Sequence, residues 1–123
     1  MLQYKIISEK KPLSGSIQVP PSKSHTLRAI LFASLAEGES TIDHYLKSPD
    51  TTAMIDACRQ LGASIEVLEA KNQLRIEGFS GIPKQPDDVM NVGNSGQVLR
   101  FVGAICGLIG EKACAVLTGD DSV

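Results

Sequence analysis

One pattern occurs twice along this chain, 72 positions apart. Leu27-Arg28 is matched by Leu99-Arg100 and Gly38-Glu39 by Gly110-Glu111, while the polar triplet Ser22-Lys23-Ser24 stands against Asn94-Ser95-Gly96. Each copy reads polar cap, Leu-Arg, apolar helix, Gly-Glu, strand. A unit of this size cannot cover its own apolar face, so copies must stack on one another. The period fits a helix–strand–helix–strand–strand module. In a chain of 123 residues the second copy stops just after its first strand. The expectation is a piece of a longer protein, because half a unit leaves an apolar face uncovered.

Local signals fill in the unit. Residues 2–8 and 15–19 read as short strands, stopped by Pro20-Pro21, neither of which can donate to a ladder. Leu27, Ile30, Leu31, Ser34 and Leu35 recur at helical spacing, with Ser22 or Ser24 as N-cap and Gly38 as the stop. A strand follows at about 40–46. A second helix runs from about Asp50 to Leu61, capped by Asp50 or Thr51, with Ile55, Cys58 and Leu61 as its stripe. Residues 64–69 and 73–78 alternate in polarity around Ala70-Lys71-Asn72 and read as a hairpin. A proline-bearing loop covers about 79–88. A third helix starts near Asn94 and runs to about Ile109, on a stripe of Val98, Val102, Ile105 and Ile109, and a last strand covers 113–118. The organisation expected is an arm over 1–20, a first repeat over about 21–90 and an incomplete second repeat over about 91–123.

Composition excludes several classes. Apolar residues make up 42% and charged residues 21%, too apolar for a disordered chain. A net charge of −2 leaves no overall basic footprint for nucleic acid. The longest apolar run, Val98 to Gly110, is too short for a membrane span and contains Arg100. No secretory signal is visible at the N-terminus. The three cysteines, Cys58, Cys106 and Cys114, form no CxxC pair and read as buried thiols in a reducing cytoplasm. His25 and His44 have no ligand spacing to any cysteine, so no metal site is expected. His25 is expected to face solvent. Asp87-Asp88 and Asp120-Asp121 read as loop and turn chemistry.

Two helix starts carry the residues suited to chemistry. At the first, Lys23 adds a compact cation to the unpaired amides and positive dipole end, and Ser22, Ser24 and Thr26 add hydroxyls. Arg28 lies one turn beyond Ser24, with a planar fork suited to carboxylate or phosphate. A capped, solvated first turn explains the same residues, and physics alone leaves the two readings level. At the second start, Gly93-Asn94-Ser95-Gly96-Gln97 can bend into a nest of amides that attracts an anion, though a plain helix N-terminus explains it too. It is neither a dinucleotide fingerprint nor a Walker loop. Arg100 follows Gly96 as Arg28 follows Ser24, and the recurrence says more than either site alone.

The stretch Val19-Pro20-Pro21-Ser22-Lys23-Ser24-His25-Thr26-Leu27-Arg28-Ala29 resembles the N-terminal signature of the 3-phosphoshikimate 1-carboxyvinyltransferase (EPSP synthase) family. Gly93-Asn94-Ser95-Gly96 followed by Arg100 resembles its second signature, and Leu117-Thr118-Gly119-Asp120 the strand end before its next basic motif. The resemblance implies the α/β (α+β) enolpyruvyl-transferase fold of repeated βαβαββ units, here one full repeat and part of a second. It implies that 1–20 belongs with the other domain and 21–123 is part of a substrate-binding domain. It further implies a cytoplasmic enzyme of aromatic amino-acid biosynthesis. That enzyme moves the enolpyruvyl group of phosphoenolpyruvate onto shikimate 3-phosphate, with no cofactor and no metal. By motif match Lys23 would contact both substrates, Ser24 and Arg28 would hold shikimate 3-phosphate, and Gly96 with Asn94 would line the phosphoenolpyruvate pocket.

Two departures stand out: Thr26-Leu27 loses the asparagine usual before the arginine, and Gln97 replaces a common threonine. The acid–base residues of the family lie mostly beyond Val123, so the chain alone is expected to be inactive, and its uncovered strands and helix to drive self-association. Two other readings are a non-catalytic anion-binding or assembly module, and a UDP-N-acetylglucosamine enolpyruvyltransferase, for which Ser22-Lys23-Ser24 looks wrong.

Overall fold

The computed structural model describes residues 3–6 and 12–123. Its elements in chain order are α1 (Lys23–Leu35), β1 (Glu39–Asp43), α2 (Pro49–Gln60), β2 (Ser64–Leu68), β3 (Gln73–Glu77), β4 (Met90–Asn91), α3 (Gly96–Cys106) and β5 (Leu117–Thr118), with a short 3-10 turn at Glu69–Lys71. β1, β3 and β2 form an antiparallel sheet in that spatial order. β4 and β5 pair in parallel, joined through α3. The mixed helix and strand content agrees with the α/β class expected.

Period-two alternation sets the sheet's faces. Ile76 lies between Ser40 and Ile65, and Leu74 between Ile42 and Val67, and these side chains turn toward the helices. The other face is charged: Arg75, central on it, pairs with Glu66 at 2.9 Å and Glu39 at 3.8 Å. The core between sheet and helices is aliphatic, with Leu27, Ile30, Met54, Leu61, Leu74, Ile76, Val98 and Val102 buried to about 0% exposure. Each such side chain contributes about 1.5–3 kcal/mol by leaving water. The stripes expected on the three helices are therefore the buried ones, with Leu35 partly covered, except that α3 ends at Cys106 and leaves the expected Ile109 in a turn beyond it, partly covered.

The helix starts share one geometry. Ser22, Ser48 and Ser95 are the N-caps, each accepting from the amide three residues on, namely His25, Thr51 and Val98. Ser22 is one of the two caps expected for α1. For α2 the cap is Ser48 rather than Asp50 or Thr51, because Pro49 takes the first helical position, where its missing N–H is harmless. Counted back from the Leu-Arg landmark, α3 begins one residue later than α1, so Ser95 and not Asn94 is its cap.

Three strand expectations fail. Residues 15–19 are extended coil, exposed on both sides, with no strand to pair with among the described residues. Of the expected strand over 2–8, residues 3–6 form no strand and residues 2, 7 and 8 lie outside the described residues. Of 113–118 only Leu117–Thr118 pairs, while the matching segment of the first repeat, β1, has β3 beside it. Extended residues become a strand only where a partner takes their hydrogen bonds. β4 falls in a region with no alternating signal, since two residues are too few to show one. The cysteines divide: Cys58 is buried, and burial pushes its thiol up to about 11, but Cys106 is half-buried and Cys114 is exposed, in no strand.

A close approach at Gly78 fixes the exit of β3. A Cβ there would lie 2.1 Å from the Ala36 carbonyl oxygen and 2.6 Å from that of Ala33. Gly78→Ala should destabilise the chain by about 2–3 kcal/mol, because backbone rather than a flexible side chain must move. Gly103→Ala, on the exposed interior of α3 with open space around its Cβ, should stabilise by about 0.5–1 kcal/mol. Urea denaturation of the two variants, giving opposite signs, checks both.

Candidate functional site

The N-termini of α1, α2 and α3 meet. Lys23, first residue of α1, places Nζ 3.3 Å from Asp50 Oδ1 in the first turn of α2. The same Oδ1 accepts from the Ser95 hydroxyl at 2.6 Å. Ser95 is 2% exposed, and its oxygen accepts in turn from the Val98 amide at 3.3 Å. A second tie crosses beside the first: Gln97 Nε2 donates to the Ser24 hydroxyl at 3.1 Å. The two helix starts singled out by the repeat thus form one surface, with α2 between them.

The positive ends of three helices, of 13, 12 and 11 residues, concentrate partial charge here. Asp50 offsets it. The Ser95 hydroxyl foremost, then Lys23, holds its carboxyl below the usual carboxylate range. The Lys23 side chain is 51% exposed against 16% for Asp50, so the ammonium stands on the open side and the carboxylate behind it. An ion pair so exposed is worth under about 1 kcal/mol to stability. Beyond the caps, the first two amides of α1 and of α3 have no partner inside their helices.

The turn into α3 is built for close approach. Gly93 takes φ +59 and donates to Asn91 Oδ1 at 2.8 Å. Asn94 is exposed, and a Cβ on Gly96 would meet open space. The end of β5 arrives at the same place: the Asp120 amide donates to the Gly93 carbonyl at 2.9 Å, so the third motif lies against the second. Asp120 also closes a turn by accepting from the Ser122 amide at 2.9 Å, the turn chemistry expected of it.

Lys23 and Ser24 are therefore tied to Ser95 and Gln97, the chain neighbours of Asn94 and Gly96. Arg28 stands one turn away, its guanidinium donating to the Ser24 carbonyl at 3.1 Å and lying 5.2 Å from the Phe101 ring centre. It extends the same α1–α3 seam. Thr26 does not join: it is buried, and its hydroxyl oxygen accepts from the Leu46 amide at 3.0 Å. Residue 26 faces the core because it sits next to Leu27 on the stripe. His25 is exposed, as expected. Sequence reasoning missed Asp50, taken only as a cap; an acidic residue in the first turn of a helix is too common to signal more. Among the described residues no group of three or more His, Cys, Asp or Glu is placed to hold a metal, and no helix is long and apolar enough to cross a membrane.

Because Asp50 has a folded pKa below its unfolded value, its contribution to stability is present above the unfolded pKa and is lost as pH falls through the folded one. Ser95→Ala removes the largest cause of the lowering. The variant should begin acid unfolding at a higher pH than the parent, and should also lose about 1 kcal/mol at neutral pH with the cap. Urea midpoints measured from neutral pH down to about 2 test both effects; parallel curves for variant and parent would refute the first.

Comparison with known proteins places the chain in a family. A family model described as EPSP synthase (3-phosphoshikimate 1-carboxyvinyltransferase) matches residues 7–123. A curated 3-phosphoshikimate 1-carboxyvinyltransferase from Acetivibrio thermocellus is 47% identical over 114 residues, 93% of this chain and 26% of the relative. One from Chlamydia felis is 46% identical over 123 residues, and one from Methanocaldococcus jannaschii 42% over 118. A solved structure of EPSP synthase from Acinetobacter baumannii superposes with a TM-score of 0.77 at 32% identity, covering 88% of this chain and 24% of that one. The chain spans about a quarter of the length of the curated relatives it matches. With its whole repeat, both helix starts and the strand end beside them inside the matched range, the chain belongs to the EPSP synthase family.

Proposed function

We propose that this chain supplies one wall of the active site of a full-length EPSP synthase, which transfers the enolpyruvyl group of phosphoenolpyruvate to a hydroxyl of shikimate 3-phosphate and releases phosphate. The observation that carries the reading is that Lys23 reaches Ser95 through Asp50 and Ser24 meets Gln97, the chain neighbours of Asn94 and Gly96. Two anionic substrates repel each other, and a site that joins them needs fixed positive ends on both sides. Preorganised amides and cations meet that need without reorganising during the reaction. In this reading Lys23 touches both substrates and Ser24 and Arg28 hold shikimate 3-phosphate. Gly96 and Asn94 line the phosphoenolpyruvate side, where the absence of a Cβ on Gly96 lets the ligand reach the backbone.

The rest of the site comes from the remaining three-quarters of such an enzyme, and with it the acid–base groups. Residues 1–20 would pack on its other domain and 21–123 would form part of the substrate-binding one. Leu13 at 100% exposure, Ile17 at 87% and Val19 at 68% support this for the arm. Phe32, 63% exposed on α1, supports a cover over that helix. We place the enzyme in the cytoplasm, where the free thiols of Cys58, Cys106 and Cys114 remain reduced.

The isolated 123 residues, given both substrates, should release no phosphate over many turnovers and should self-associate in light scattering. In the full-length enzyme Lys23→Ala should weaken both substrates by about ten- to a hundredfold, the range of a hydrogen bond to a charged group. Calorimetry with each substrate measures it, and unchanged affinity for both removes Lys23 from the site.

A further inference from the structure

Asp50 is a charged group beside the site that no motif assigned. We propose that Asp50 is a positioning residue: its carboxylate couples the two helix starts by holding the Lys23 ammonium and the Ser95 hydroxyl on a single oxygen. This deepens the reading above and rests on it.

Three observations carry it. First, a carboxylate in the first turn of a helix ordinarily needs only its own dipole end. Here a lysine 27 positions before it and a serine 45 positions after it meet on the same Oδ1. Second, Ser95 has one hydroxyl hydrogen. Donating it to Asp50 turns the lone pairs toward the Val98 amide, so the carboxylate fixes the direction of the cap and with it the first turn of α3, where Gly96 lies. Third, an ammonium has three donors. Asp50 engages one from the buried side, and the half-exposed lysine presents the others outward. A negative charge this close also repels anionic ligands. Its presence is explained if it orients the cation that meets them, and unexplained if bare affinity is the requirement.

The charges facing Asp50 make the test separable. Asp50→Asn keeps an acceptor oxygen for Ser95 but removes the negative charge that holds the Lys23 ammonium. In the full-length enzyme this variant should lower kcat by about tenfold or more, the scale of a slightly misplaced catalytic group, with the KM for phosphoenolpyruvate unchanged or lower because a repelling charge is gone. Asp50→Glu, which keeps the charge, should recover part of kcat. A kcat within about twofold of the parent, or a raised KM at unchanged kcat, overturns the proposal. A second readout does not need turnover. In Asp50→Ala, amide hydrogen exchange should quicken by about tenfold at Val98 relative to Ile105 of the same helix. Equal protection ratios in variant and parent overturn the coupling. If the parent enzyme shows no enolpyruvyl transfer, the proposed function fails, and the exchange ratio alone decides whether Asp50 couples the helices.

Discussion

Three helices begin at one place, and that crowding of like partial charges is the constraint to which the rest of the structure answers. Each N-terminus carries about half a positive charge. Brought together without compensation they would repel. Two things offset them here: three serine caps, each taking up one orphan amide, and a single carboxylate set among the ends. What remains uncompensated points outward, beside a lysine, next to a glycine whose missing side chain leaves the backbone open. Its positive character follows from the arrangement of backbone dipoles as much as from any one side chain.

The repeat explains how the chain reaches this arrangement. α1 and α3 share a sequence pattern, each opening at a serine and each carrying arginine in its second turn. The sheet of β1, β3 and β2 buries its apolar face under α1 and α2, which fixes their starts side by side. β4 and β5 then deliver α3 to the same corner, and the Asp120 amide on the Gly93 carbonyl closes the loop from the far side. Gly119 is required there, since a Cβ would sit 2.8 Å from the Gly93 carbonyl oxygen. The conformation of the turn into α3 is thus held by strands on one side and by Asp50 on the other.

Helices, their buried stripes and the hairpin were legible because they depend on neighbours a few residues apart. Ile30, Val98 and Leu74 announce their faces through spacing alone. Strands at 15–19 and 113–118 were misread because alternation reports only that a segment can be extended; whether it joins a ladder depends on a partner that local sequence does not contain. The site was legible in the same uneven way. Lys23, Ser24, Asn94 and Gly96 stand at helix starts that share one sequence pattern, so the pairing of the two starts could be read. Thr26 has the same chemistry as Ser24, yet two positions along a helix turn it into the core, where it holds the Leu46 amide. Asp50 was invisible because its contacts come from residues 27 before and 45 after it. Such long-range polar contacts leave no period in the chain.

The most direct measurement is a crystal structure of the full-length enzyme with phosphoenolpyruvate and shikimate 3-phosphate bound. The account predicts anionic oxygens of the two ligands within about 3.2 Å of Lys23 Nζ and of the amides or hydroxyl at Ser24 and Gly96, with Asp50 still bridging Lys23 and Ser95 behind them. Ligands seated elsewhere, with Lys23 and Asn94 on opposite sides of the bound pair's cleft and no contact to either helix start, would contradict it.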